Sequence, residues 1–175
     1  VRQGALHETF NMAMLWKLPV VFIIENNNYA MGTSIERASA VVELVDRGKS
    51  FDIPGEQVNG MDVSEVRAAA EMASEWCRSG KGPFILEMKT YRYRGHSMSD
   101  PAKYRSKEEV SKVRKESDPI DNLREVLLKH KMTTEESLKE IDREIKAVVT
   151  EAATFAQESP EPDPSELYTD ILVEV

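Results

Sequence analysis

PVVFIIENNNYAMGTS, Pro19 to Ser34, decides the fold. Val20 to Ile24 is an unbroken run of β-branched and aromatic residues, the pattern of a strand buried on both faces. Glu25-Asn26-Asn27-Asn28 then replaces apolar bulk with polar, turn-forming side chains and ends the strand. Upstream, Leu6, Phe10, Ala13 and Lys17 recur at roughly helical spacing, with Met14 and Trp16 beside them. That spacing predicts a buried helix over residues 4–17, closed by Pro19.

Downstream the alternation continues. Residues 35–47 read as a short helix and loop, and Phe51 to Gly60 as a short connection with turn signals at Pro54-Gly55 and Asn59-Gly60. Asp62 with Glu65 three residues on resembles a capping box. Val66, Ala69, Ala70, Ala73 and Cys77 form the apolar stripe of the helix it opens, which Gly80 and Gly82 stop. Pro83 to Tyr91 predicts a second strand. Helix, strand, helix, strand, with long crossovers, is the order of an α/β domain with a parallel sheet flanked by helices.

After Tyr91 the character changes. Arg92 to Arg105 is a polar loop without periodicity, and from Lys89 to Lys107 six Lys or Arg stand against one acid, Asp100. Asp118-Pro119 is a helix start with proline in the first turn. Thr133 with Glu136 reads as another capping box. Leu138, Ile141, Ile145, Val148, Ala152 and Phe155 then follow at spacings of three and four, a helix face that needs a partner. Pro160, Pro162 and Pro164 end that helix, and Tyr168 to Val173 reads as a strand-like tail. The expected organisation is residues 1–105 as part of an α/β domain and residues 106–175 as a helical appendage packed on it.

Composition narrows the class. The 175 residues carry a net charge of −8 with a pI near 5.0, where a general nucleic-acid binder is more often basic. Seven of the acids, and no Lys or Arg, lie between Glu151 and Val175, so the other 150 residues are nearly neutral. One cysteine, Cys77, excludes an internal disulfide framework and a multi-cysteine metal site. Leu18 to Ile24 is far too short to span a bilayer. The chain opens at Val1 with no Met, which leads us to expect a processed form or part of a longer chain.

Two segments could carry chemistry. In ENNNYAMGT, Glu25 to Thr33, the asparagines follow a strand of a parallel sheet, where ligands of open α/β sheets sit. An Asn side-chain oxygen with a nearby backbone carbonyl suits Mg²⁺ shared with a diphosphate; the same residues also suit a plain strand-ending turn. In YRYRGHSMSDP, Tyr91 to Pro101, Arg92 and Arg94 suit anions, His96 can move protons near neutral pH, and Ser97 and Ser99 add hydroxyls. A solvated surface loop is the other reading. His7, His96 and His130 have no metal-ligand spacing, Ser79-Gly80-Lys81-Gly82 lacks the frame of a P-loop, and no G-x-G-x-x-G is present.

Both segments, with FNMAMLWKLPVVFIIENNNYAMGTS (Phe10 to Ser34), VNGMDVSEVR (Val58 to Arg67) and RSGKGP (Arg78 to Pro83), resemble one family along essentially the whole chain. It is the alpha subunits of the thiamine diphosphate-dependent 2-oxo acid dehydrogenases, in their carboxyl-terminal part. Gly-His-Ser-Met-Ser-Asp-Pro is closest to the pyruvate dehydrogenase branch; acetoin and branched-chain 2-oxo acid dehydrogenases are the alternatives. The acidic Pro-Glu-Pro-Asp-Pro tail is similar to the alpha-proteobacterial form. The resemblance implies the thiamine diphosphate-binding fold, and oxidative decarboxylation of pyruvate with acetyl transfer to a lipoyl group.

It also implies site residues. The Asn27 side chain and the Tyr29 carbonyl would bind Mg²⁺. His96 would reach the cofactor and the active-site channel, and Ser97 matches a serine that a dedicated kinase phosphorylates in mitochondrial members. The third metal ligand, the Asp of a Gly-Asp-Gly, would fall just before Val1 and is absent here. The implied partners are a beta subunit in an α₂β₂ assembly and the lipoyl domain of the acyltransferase component, with no nucleic acid and no membrane. The implied compartment is the bacterial cytoplasm, or the mitochondrial matrix if eukaryotic. This chain alone is expected to be inactive, and a non-catalytic remnant or assembly module is the competing expectation.

Overall fold

A computed structural model describes residues 3–102 and 104–171. Backbone contacts divide the chain into two compact units, one up to Val126 and one from Leu127 onward. The first holds a parallel sheet of β1 (Val21–Asn26), β5 (Phe84–Lys89) and β4 (Gly55–Asn59), in the order β1-β5-β4. β1 and β5 run in register from Val21 opposite Phe84 to Asn26 opposite Lys89. A small antiparallel hairpin, β2 (Tyr29–Ala30) with β3 (Thr33–Ser34), follows β1 directly and leads into the single-turn helix α2 (Ile35–Ala38).

The central strand shows why the sheet needs helices on both sides. Phe84, Leu86 and Met88 point to one face and Ile85 and Glu87 to the other, and all five are buried. On the first face α3 (Val63–Arg78) lays Ala69, Ala73 and Cys77 against Val58, Phe84, Leu86 and Met88. Its small side chains let the helix lie close to the strands. Asp62 starts it by accepting the N–H groups of Ser64 (2.8 Å) and Glu65 (3.1 Å). On the second face α1 (Gly4–Leu15) and a 3₁₀ segment (Leu44–Phe51) cover Ile24, Ile53 and Ile85. Phe10 sits at the middle of that face, edge-on to Phe22 (4.7 Å) and Phe51 (5.9 Å).

Several sequence expectations change here. β1 is not buried on both faces: Ile24 and Asn26 are buried, but Ile23 is 65% exposed and Glu25 is exposed. β5 pairs with one edge of β1, and α3 covers the face of β5 and β4 but only the Val21 end of β1. α1 ends at Leu15, not residue 17, and buries only one side; Leu15 and Trp16 are exposed. β4 and the β2–β3 hairpin have no counterpart among the predicted elements. In Gly-Glu-Gln-Val-Asn only Val58 is buried, so β4 lacks the apolar alternation that marks a strand. Ala70 is exposed rather than part of the buried stripe of α3.

The first unit continues through α4 (Lys107–Ser117) into α5 (Pro119–Lys129), which runs across the division. Asp118 caps α5 as expected, accepting from Ile120 (3.0 Å) and Asp121 (3.3 Å). In the second unit, α6 (Glu135–Glu158) is capped by Thr134, one residue later than the expected Thr133; its hydroxyl accepts from Ser137 (3.2 Å). The face of Ile141, Ile145, Val148 and Phe155 is exposed. Tyr168 closes a 3₁₀ turn (Pro164–Tyr168) instead of opening a strand; Leu172 and Val173 lie outside the described residues. Among the described residues, no helix is long and apolar enough to cross a membrane.

Candidate active site

Each asparagine of the triplet does something different at the carboxyl end of β1. Asn26, 4% exposed, shares a face with Phe22 and Ile24 and reaches across to the neighbouring strand. Its amide nitrogen donates to Glu87 Oε1 (2.6 Å), and its oxygen accepts the Asn28 N–H (3.0 Å). Its backbone carbonyl accepts from Thr90 (2.9 Å). Asn27 is half-buried, and its side-chain oxygen accepts the Tyr29 N–H (3.3 Å). Asn28 takes φ +67, a left-handed conformation that asparagine tolerates better than most residues. Two successive side-chain-closed turns and one left-handed residue therefore reverse the chain into the hairpin, where the Asn28 carbonyl accepts from Ile35 (2.9 Å).

Glu87 stands behind this turn. It is fully buried, and both carboxyl oxygens are used: Oε1 by the Asn26 amide, Oε2 by the Val45 N–H (2.8 Å) that opens the 3₁₀ segment. Lys89 Nζ lies 3.8 Å from Oε1. At the turn, Glu25, Asn26, Asn27, Asn28 and Tyr29 line an open cleft of about 580 Å³, with Leu44 also in its lining.

The basic loop is tied down at both ends. Tyr91 donates to Glu109 on α4 (2.8 Å), and burial, with Glu109 beside it, pushes its phenol up to about 12. Tyr93 donates to the Asp118 cap (3.1 Å) under the Arg114 guanidinium. Further out, Asp100 accepts from the backbone N–H of His96 (2.7 Å) and of Ala102 (2.9 Å) and from the Tyr104 hydroxyl (2.8 Å). Those donors, the His96 N–H first, hold its carboxyl below the usual carboxylate range. Gly95 allows the fold-back: a Cβ there would sit 2.9 Å from the Asp100 carbonyl and 3.0 Å from its side chain.

Arg105 joins turn to loop. It is 9% exposed, with its guanidinium 4.8 Å from the ring centres of both Tyr29 and Tyr91 and 5.4 Å from that of Tyr104. It donates to the carbonyls of Arg92 and of Asn27, the latter at 3.5 Å, while its buried Nε has no partner. Tyr29 and Tyr104 lie 5.0 Å apart between ring centres. Flat stacking on three electron-rich rings and a fork of N–H donors are what arginine offers and lysine does not.

Asn27 and Tyr29 thus lie together on the turn, and the base of the loop is fastened to it. His96 and Ser97 are exposed farther along the loop; among the described residues no hydrogen bond joins either to the turn. Ser97 Oγ is 3.0 Å from Ser99 Oγ. A family model described as "Dehydrogenase E1 component" matches residues 1–165. The chain belongs to that family. It is 63% identical over 171 residues to the pyruvate dehydrogenase E1 component subunit alpha of Rhizobium meliloti (98% of this chain, 49% of that one). It is 57% identical to the protein of the same name from Zymomonas mobilis (98% and 48%). It is 54% identical to the testis-specific, mitochondrial form from Rattus norvegicus (91% and 41%). This E1 chain spans about half the length of the curated relatives it matches.

The E1 family is generally dependent on thiamine diphosphate, and the turn can be tested for its fit to a divalent cation accompanying such a group. The Asn27 amide oxygen is a neutral hard donor on a residue that lines the cleft, and the Tyr29 carbonyl is a second such donor. Both suit Mg²⁺ as part of an oxygen-donor set. Among the described residues no group of three His, Cys, Asp or Glu could hold a metal on its own; Glu25 is the carboxylate that lines the same cleft. Sequence reasoning missed Glu87, Asp100, Tyr104 and Arg105. Two left a trace: Glu87 is the one acid inside an apolar strand, and Asp100 the one acid inside a basic run.

Proposed function

We propose that this chain supplies the diphosphate and Mg²⁺ side of the active site in the alpha subunit of a pyruvate dehydrogenase decarboxylating component. That component decarboxylates pyruvate oxidatively and passes the acetyl group to a lipoyl arm. Bound thiamine diphosphate supplies the electron sink for decarboxylation. Asn27 contributes its side-chain oxygen to the metal and Tyr29 its backbone carbonyl. Arg105 keeps both on station by holding the Asn27 carbonyl and stacking on the Tyr29 ring. His96 presents an exposed imidazole nitrogen that can take or release a proton at the channel. Ser97, beside it, is a candidate phosphorylation site, where added negative charge would oppose an anionic cofactor.

A beta subunit completes the site in an α₂β₂ assembly, and the lipoyl domain of an acyltransferase component is the acceptor. The compartment is the bacterial cytoplasm, or the matrix in a eukaryote. The carrying observation is that the neutral-oxygen turn at the carboxyl edge of the sheet and the basic loop are fastened together by one buried arginine. The pyruvate dehydrogenase relatives support the substrate. A second reading, a non-catalytic assembly module, draws on the exposed apolar face of α6.

Calorimetric titration of Mg²⁺ and thiamine diphosphate, with and without a cognate beta subunit, separates the two. The active-site reading expects tight, Mg²⁺-dependent binding to the assembled complex and its loss in Asn27→Ala. Binding that ignores Asn27, or no binding by the complex, would leave the assembly reading standing.

A further inference from the structure

We propose that Glu87 is a positioning residue for the metal-binding turn, acting through Asn26; this rests on the reading of Asn27 and Tyr29 as Mg²⁺ ligands. Glu87 is the buried acid of the central strand, with no exposed surface. A carboxyl group there is tolerated only when its oxygens are hydrogen-bonded. Both are, and the two partners belong to different segments: Asn26 lines the cleft itself, and Val45 follows Leu44, which also lines it. Oε1 takes the Asn26 amide at 2.6 Å; Oε2 takes the Val45 N–H at 2.8 Å, at the start of the segment carrying Leu44. Lys89 Nζ at 3.8 Å is the charged group facing it.

The bond to Asn26 settles which end of that amide faces which neighbour. With the nitrogen turned to Glu87, the oxygen is left to accept the Asn28 N–H at 3.0 Å. A flipped amide would set oxygen against oxygen at Glu87 and N–H against N–H at Asn28. The Asn28 N–H is one end of the peptide unit that follows Asn27, and its capture fixes the direction in which the Asn27 side chain and the Tyr29 carbonyl leave the strand. Glu87 thereby dictates the geometry of two oxygens it does not touch. Partners that orient a metal ligand typically account for roughly 10–100-fold in metal affinity.

The test exploits this polarity and uses the subunit as the cell expresses it, assembled with its beta subunit. In Glu87→Gln an amide can satisfy the Val45 N–H or the Asn26 amide, not both. In Asn26→Asp two buried carboxyl groups meet. The double variant combines Glu87→Gln with Asn26→Asp. There the new amide nitrogen at position 87 donates to the new carboxylate at position 26, and the amide oxygen at position 87 accepts from Val45. The carboxylate at position 26 still accepts from Asn28, so the pattern is restored with donor and acceptor exchanged. The readouts are the apparent Kd for Mg²⁺ at saturating thiamine diphosphate, by calorimetry, and amide exchange of peptides covering 26–30 and 43–47 without cofactor.

Each single variant is expected to weaken Mg²⁺ binding by roughly 10–100-fold and to speed exchange in both peptides. The double variant should recover most of both losses, a rescue that mere filling of space would not produce. Should Glu87→Gln fail to assemble, Asn26→Ala cuts the same bond from the other end and carries the same expectation. A wild-type Kd in the single variants, or a double variant as weak as the singles, would overturn the proposal. Asn27→Ala runs alongside. If it keeps the wild-type Mg²⁺ dependence, the ligand reading itself fails. If it loses that dependence while Glu87→Gln does not, only the role of Glu87 fails.

Discussion

Replacing Arg105 by lysine keeps the charge and removes the flat fork. The guanidinium donates to two carbonyls, those of Arg92 and Asn27, and lies within 5.4 Å of three tyrosine ring centres. A hydrogen bond from a charged donor is worth roughly 1.5–3 kcal/mol. The bond to Asn27, at 3.5 Å, lies at the geometric limit and counts for a fraction of that. A lysine ammonium can keep one carbonyl and one ring; it loses the second carbonyl and the stacking between rings, worth about 0.5–2 kcal/mol for a desolvated cation. The expected cost of Arg105→Lys is about 2 kcal/mol, or roughly thirtyfold in the local opening equilibrium. Arg105→Ala, which also removes the buried stem, should cost about 3–4 kcal/mol. Hydrogen exchange on the assembled complex reads this directly, since local opening sets amide protection. Peptides covering 26–34 and 91–105 should lose protection together and by similar factors. A lysine variant with wild-type protection, or loss confined to one of the two segments, would refute the claim that Arg105 couples them.

Other expectations follow from single contacts. Asp100 has a native pKa below its unfolded value, so its contribution to loop order is complete above the ordinary carboxylate range and fades as pH falls through and below it. The protection factors of 91–105, that is exchange divided by the intrinsic rate at each pH, should therefore stay flat from pH 8 to about 5 and fall only in stronger acid; Asp100→Asn should lower them at every pH and abolish that acid step. Asp62→Ala removes the cap of α3 and should lower stability by about 1 kcal/mol in chemical denaturation. α3 covers the sheet face opposite Glu87, so the Mg²⁺ dependence of cofactor binding should not move; a changed metal Kd would show that the two faces are not independent.

How much of this could be read from the sequence depended on whether the signal was local. The strand-to-turn switch at Glu25-Asn26 is visible because apolar bulk stops where backbone-mimicking side chains begin. The parallel sheet followed from long crossovers, and the caps at Asp62 and Asp118 from short-range chemistry. What failed was long-range. Periodicity could not say that β1 lies at the edge of this sheet and β5 at its middle, because Val20 to Ile24 and Phe84 to Met88 look alike as runs. β4 was invisible because an edge strand with one buried side chain has no alternation to detect. Among the proposed site residues, Asn27, Tyr29 and His96 came from motif wording, whereas Glu87 and Arg105 act across 61 and 78 residues of chain, a separation no local pattern encodes.

The charge arrangement around the turn bears on how a chain of net charge −8 would receive the anionic cofactor proposed for it. The acids concentrate in residues 151–175, while the bases of the loop concentrate beside the neutral asparagine turn. Within the loop, however, the cations are not equivalent. Arg92 donates to the carbonyls of Arg94 and His96 (both 3.2 Å), and Arg105 donates to Arg92 and Asn27. Both guanidinium groups therefore act as braces, and their positive charge is shared with backbone oxygens. Asp100 neutralises part of what remains and folds the loop back on itself. Among the described loop residues, Arg94 and His96 keep side chains without hydrogen-bond partners on the exposed side. An anionic ligand at the turn would thus meet a field from the whole loop but direct contact from few groups, as preorganisation requires: charges already held by fixed bonds need not be rearranged when the ligand arrives.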